Sequence, residues 1–218
     1  MPTTDPAVPR STLFQPPGRP LAPARQDRVR QLLSAELTAA VADHGLRLEA
    51  SADPALQVLR GGDLGLGGFC DFAEATLKRA VRRLSADLIG GANVTRLDGT
   101  LAHRHPRLPY RRALRIVGAR GWRLALGEEL TDEAQASLVR FCGLLPVQVL
   151  MLPGQPRPAS IDGRRAGLSY VLPWGGEVLR GEIASVDADA DGPVLCRFHL
   201  DRLLRFVLGL DRESAASA

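Results

Sequence analysis

The chain has 218 residues, of which 45% are hydrophobic and 24% charged, as a single soluble domain with a sizeable core requires. No run reaches the ~18 apolar residues of a membrane helix, and no signal-peptide core opens the chain, so the expected compartment is the cytoplasm. The net charge of +4 comes almost wholly from arginine, with Lys78 the single lysine, and is too dispersed to mark a nucleic-acid-binding stripe.

Residues 1–24 carry seven prolines and few apolar anchors, which predicts a flexible arm. An ordered domain is expected over residues 25–212, followed by a frayed tail over 213–218. Val29, Leu32, Leu33, Leu37, Ala40 and Val41 recur at helical spacing, and Gly45 is placed to end that helix. A short strand is expected at Leu56–Leu59, then a glycine-rich stretch from Gly61 to Gly68. A helix follows, with Phe72, Ala73, Leu77, Ala80, Val81 and Leu84 on one face. Pro109 opens a further helix whose Tyr110, Ala113, Leu114 and Val117 face inward and whose Arg111, Arg112 and Arg115 face out. Thr131 can cap another, with Asp132 and Glu133 in its first turn. Strand-like runs occupy Trp122–Leu126, Val147–Leu152, Leu168–Leu172, Val178–Val186 and Val194–Phe198, and a last helix begins at Leu200. Successive strands with no helix between them predict an α+β domain: a six- or seven-stranded, mainly antiparallel sheet flanked by helices.

Common motifs fail on inspection. Gly65-Leu66-Gly67-Gly68 is followed by Cys70 where a dinucleotide fingerprint has its third glycine, and no P-loop lysine follows. Asp187 to Gly192 has half of a calcium loop, but its twelfth position is Phe198 instead of glutamate. His103 and His105 have no nearby carboxylate or thiol at ligand spacing. Cys70, Cys142 and Cys196 form no CxxC and are expected to be reduced core thiols.

Five segments carry a resemblance, in order along Leu56–Leu210. Leu172-Pro173-Trp174-Gly175-Gly176-Glu177-Val178-Leu179-Arg180-Gly181-Glu182 reads as apolar-Pro-x-x-Gly-Glu-apolar-apolar-Gly-Gly-Ser with two replacements. Phe198-His199-Leu200-Asp201-Arg202-Leu203-Leu204 reads as a strand running into a helix that starts with an acidic residue and arginine. Upstream stand Leu108-Pro109-Tyr110-Arg111-Arg112-Ala113-Leu114, then Gly127 to Glu133, then Val147 to Arg157 with Pro153. Together these resemble the catalytic domain of class II aminoacyl-tRNA synthetases of the asparaginyl/aspartyl type, in truncated form.

The resemblance implies ATP and Mg2+ as cofactors, Glu177 as a metal and nucleotide ligand, and Arg202 as partner of the terminal phosphate. Glu182 falls in the nucleotide site, His199 and Arg202 are the catalytic candidates, and Arg157 and Glu133 are the substrate-side candidates. The departures are as informative. No Phe-Arg-x-Glu occurs, so the second class-defining motif, whose arginine grips the α-phosphate, reads as deleted around residues 45–56. Arg180, Arg197 and His199 stand where the pattern has glycine, and Glu182 replaces a serine. The chain is therefore expected to activate or ligate an acidic or amide amino acid without charging tRNA, as a homodimer. The alternative is a catalytically degenerate or ATP-independent amino-acid-binding, regulatory or dimer-partner module.

Overall fold

The computed structural model describes residues 23–49, 56–88, 94–156, 158, 165–173, 176–183 and 192–208. The arm and tail lie outside them, except that Pro23 and Ala24 already belong to the first helix. In chain order the elements are α1 (Pro23–Ala42), β1 (Leu46–Glu49), β2 (Leu56–Leu64), α2 (Leu66–Leu88), α3 (Val94–Ala102), β3 (Arg107–Pro109) and α4 (Tyr110–Gly118). They continue with α5 (Asp132–Phe141), β4 (Val147–Met151), β5 (Ala166–Leu172), β6 (Gly176–Ile183), β7 (Gly192–His199) and α6 (Leu200–Leu208). The strands form one seven-stranded sheet in the order β1-β2-β7-β6-β5-β4-β3. Every neighbouring pair is antiparallel except β3 with β4. The expected α+β architecture is what the chain adopts.

Register separates the two faces. Leu48, Leu59, Cys196, Gly181, Leu168 and Leu150 lie side by side across six strands. This face is packed by α1, α2 and α6. Phe69, Phe72, Ala73, Leu77, Ala80, Val81 and Leu84 follow the 3.6 period of α2, and all lie in the main core. Burying each large member contributes roughly 1.5–3 kcal/mol. The adjacent row reads Glu49, Val58, Arg197, Arg180, Ser169, Val149 and Leu108, on the opposite face. There, α4 and α5 cover the β3–β5 end and the start of β6, over Val147, Val149, Met151 and Val171. The half formed by β1, β2, β7 and β6 keeps its charged residues exposed or half-exposed, with the exception of the buried Glu177. No helix among the described residues is long and apolar enough to cross a membrane.

Several local expectations need correction. Trp122–Leu126 forms no strand: Gly121 and Gly127, with φ of 93° and 103°, turn the chain at both ends. The Tyr110 hydroxyl, bonded to the Glu128 carbonyl at 2.5 Å, and the Glu128 carboxylate, 3.0 Å from the Ala125 amide, hold the segment as a loop. The glycine-rich stretch is shared between β2, which bulges at Gly61, and the start of α2. Pro109 is the residue before α4, not its first. Helix α3 and the short strands β1 and β3 are additions, and residues 184–186 of the expected strand lie outside the described residues. Thr131 does cap α5, accepting the Ala134 amide at 3.3 Å. All three cysteines are free.

The loop after α3 holds a buried histidine. His105 Nε2 lies 2.8 Å from the Thr100 carbonyl, and Nδ1 meets the Tyr170 hydroxyl. Those partners fit a neutral ring with its proton on Nε2. Burial lowers the His105 pKa, and the bond to Thr100 only partly opposes it. The unfolded chain takes up this proton near pH 6.5 and the folded chain does not. The associated stability is therefore complete above that pH and lost as pH falls through the lower folded value. The melting temperature is expected to drop between about pH 7.5 and about pH 5.5, and less steeply in His105→Gln. Equal slopes for the two proteins would show that His105 does not control the transition.

Candidate functional site

The polar face converges on a bulge in β6. Tyr170 pairs with Leu179, but the next residue, Val171, pairs with Glu177, so Val178 is extra. Val178 turns into the main core and Glu177 is brought onto the polar face. The Glu177 carboxylate is almost fully buried and accepts a hydrogen bond from the Ser169 hydroxyl on β5. It also accepts from Arg180, with Nε to Oε1 and Nη2 to Oε2 both at 2.8 Å.

The same guanidinium reaches Glu129, in the loop before α5, through Nη1 and Nη2 at 2.7 Å each. Burial works against the charge on Arg180, but the bonds from Glu129 and Glu177 outweigh it and raise its pKa. Next to this triad, Gly176 (φ 69°) adopts a conformation that favours glycine and lies near Gln135 and Asp132 of α5.

The sequence-predicted residues divide between this centre and its margins. Arg202, in the first turn of α6, donates Nη1 to the Glu177 backbone carbonyl at 2.6 Å, so it meets Glu177 through the main chain. Glu182 shares the polar face two residues from Arg180 and pairs with Arg165 at 3.6 Å. His199 ends β7 opposite Leu56 and is half-buried. Glu133 is exposed on α5, and Arg157 lies outside the described residues. A broad groove of about 990 Å³ runs along the outer side of α4, lined by Arg111, Arg112, Arg115 and Arg120, and contains none of these candidates.

One functional candidate escaped the sequence reading. Residues 45–56, read there as a deletion, include strand β1, which pairs with β2 at the edge of the described sheet. That strand is Leu46-Arg47-Leu48-Glu49, an apolar-Arg-x-Glu pattern whose first position is leucine instead of phenylalanine. Leu46 faces the core, whereas Arg47 is exposed. Glu49 pairs with Arg60 at 3.1 Å. Neither Arg47 nor Arg197 has an acidic partner among the described residues. Two strand spacings and one two-residue step put their Cα atoms roughly 12 Å apart. Requiring an aromatic residue hid this strand, and the apolar-Arg-x-Glu spacing would have found it. Ser169 and Glu129 were missed too. The single polar residue in the apolar run of β5 pointed to the first, and the second lies inside one of the quoted motifs.

Solved structures supply the comparison. Asparaginyl-tRNA synthetase from Pyrococcus horikoshii superposes with a TM-score of 0.64 at 13% identity, over 87% of this chain and 65% of that one. Its structure with asparaginyl-adenylate gives the same score over 86% and 66%. Aspartyl-tRNA synthetase from Entamoeba histolytica gives 0.56 at 10% identity, over 84% and 55%. The fold is that of a class II aminoacyl-tRNA synthetase. No family model matches the sequence, nor does any curated protein. The chain spans just under two thirds of the length of the Pyrococcus horikoshii synthetase.

A synthetase-like site invites a test for magnesium. Both oxygens of Glu177 and both of Glu129 are engaged by Arg180. Among the described residues no three His, Cys, Asp or Glu side chains gather at metal-binding distance. Mg2+ needs oxygen ligands at about 2.0–2.1 Å in octahedral array. The residues present do not fit it. Phosphate is different: the guanidiniums of Arg47 and Arg197, without an acidic partner among the described residues, are donors suited to it.

Proposed function

We propose that this chain binds an acidic or amide amino acid together with ATP and activates or ligates the amino acid without charging tRNA. The observation that carries the reading is a pair of arginines on the open face with no acidic partner among the described residues: Arg197 directly across from Arg180, and Arg47 two strands beyond it on β1. By the stated resemblance, the arginine of apolar-Arg-x-Glu grips the α-phosphate and that of the last motif meets the terminal phosphate, which gives Arg47 and Arg202 those roles. Arg202 uses one of its five donors on the Glu177 carbonyl and keeps the rest for an anion. Bound ATP supplies the leaving group that makes a carboxyl reactive. The protein's own part is to hold phosphate charge with preorganised guanidiniums, at a face whose other carboxylates are already neutralised. The substrate-side roles that the resemblance implies for Glu133 and Arg157, and the homodimer it implies, belong to the same proposal.

A second reading, an ATP-independent amino-acid-binding module, is favoured by Arg197 and His199, whose side chains stand where the resemblance has glycines. Thermal denaturation separates the two. ATP at a hundred times its dissociation constant stabilises by about 2.7 kcal/mol if it binds. Removing one charge-assisted bond costs about 1.5–3 kcal/mol, so Arg47→Ala should weaken ATP roughly ten- to a hundredfold. No ATP shift, with a shift on adding aspartate or asparagine, selects the second reading. A shift with ATP that Arg47→Ala leaves intact refutes the role given to Arg47.

A further inference from the structure

We propose that Arg180 is a built-in replacement for a divalent metal ion: its guanidinium bridges Glu177 and Glu129, so the site takes its anionic ligand without Mg2+. The inference concerns only the cation and does not depend on ATP being the ligand.

The geometry is that of a completed site. Four bonds of 2.7–2.8 Å join one guanidinium to all four oxygens of two carboxylates. Ser169 adds a further donor to Glu177 Oε2. A guanidinium matches two carboxylates through its planar fork, whereas a metal ion would have to displace that charge and then find further oxygen ligands. The bulge places Glu177 and Arg180 on one face, and Thr131, by capping α5, fixes the end of the loop that carries Glu129.

The position of the arginine is as informative as its bonds. The resemblance places glycine there, which leaves the carboxylates open. Arginine both fills that space and supplies the positive charge. Arg180 lies directly across from Arg197, and like charges so paired repel unless something offsets them. Glu177 and Glu129 offset Arg180, while Arg197 is left facing the open side with its charge available. The two arginines thus divide the work: one holds the acidic side chains and the other meets the ligand.

Mn2+ titration followed by electron paramagnetic resonance tests this on the intact chain. Wild-type protein is expected to bind no Mn2+ at millimolar concentration. Arg180→Gly should melt at a lower temperature, bind one Mn2+ per chain, and regain melting temperature when Mn2+ or Mg2+ is added. Arg180→Lys retains a cation and should bind none. Stoichiometric Mn2+ on the wild-type chain, abolished by Glu177→Gln, would overturn the proposal. So would a folded Arg180→Gly that binds no metal, or Arg180→Lys binding Mn2+ as well as Arg180→Gly does. If Arg180→Gly does not fold, the wild-type and Arg180→Lys titrations decide the matter. Failure of ATP to bind, with the Mn2+ results as expected, would remove the functional reading above and leave this one standing.

Discussion

Gly181→Ala is expected to lower stability by about 1–3 kcal/mol or more, as overpacking of a filled core does. The new methyl carbon would lie 2.5 Å from Phe69 Cζ, 2.9 Å from Phe69 Cε1 and 2.6 Å from the Cβ of Cys196. None of these atoms can yield easily. Phe69 is fully buried in α2 beside Phe72, and Cys196 is fixed in β7 directly opposite Gly181. Relief would require α2 to lift from the sheet, and α2 carries much of the main core. Urea denaturation should show a lower midpoint. The double variant Phe69→Leu with Gly181→Ala should lose less than the two single losses combined, because both changes act on one contact. Strict additivity would mean that the strand shifts and the clash is not the cause. The absence of a side chain at 181 thus serves the core, while its neighbour Arg180 serves the opposite face.

The second large effect is expected at Glu177. Glu177→Ala leaves Arg180 half-buried with one carboxylate instead of two and leaves the Ser169 hydroxyl without its acceptor. Breaking a buried ion pair from one side typically costs about 3–5 kcal/mol. Glu129 still faces Arg180, and is itself 45% exposed, so the lower part of that range is expected. Glu177→Gln keeps acceptor capacity for Ser169 and one bond to Arg180, and should lose less. The midpoint of chemical denaturation orders the variants. Equal losses from Ala and Gln would mean that charge, and not hydrogen bonding, dominates at this position.

Much of the architecture was legible because it rests on periodicity. The buried stripe of α2 and the apolar runs of β4, β5 and β7 follow from repeats of 3.6 and 2. Elements of three or four residues were not legible. β1 and β3 are too short to display a period, and each is defined by its partner strand, β2 and β4 respectively. Trp122–Leu126 shows the converse: its composition suits a strand, yet two glycines turn it into a loop. At the candidate site, sequence pattern picked out Glu177 and Arg202 as candidates and Arg180 as a departure from the pattern. It could not show that Arg180 binds Glu177 and Glu129, because Glu129 is 51 residues away and only the folded chain brings them together. The candidate Arg47 was passed over for a different reason: the pattern was held to phenylalanine, and Leu46 stands in its place.

The extra residue in β6 gives the site a dependence on parity. In a regular strand, residues three apart point to opposite faces, so Glu177 and Arg180 could not meet. Val178 makes the interval an effective two, and the pair becomes a same-face neighbour pair. Straightening the bulge with every residue kept would leave both side chains of the pair intact and yet turn the carboxylate toward the core face. The meeting of Glu177 and Arg180 thus depends on pairing register as well as on side chains, and loss of Val178 is the one change of length that regular alternation would tolerate.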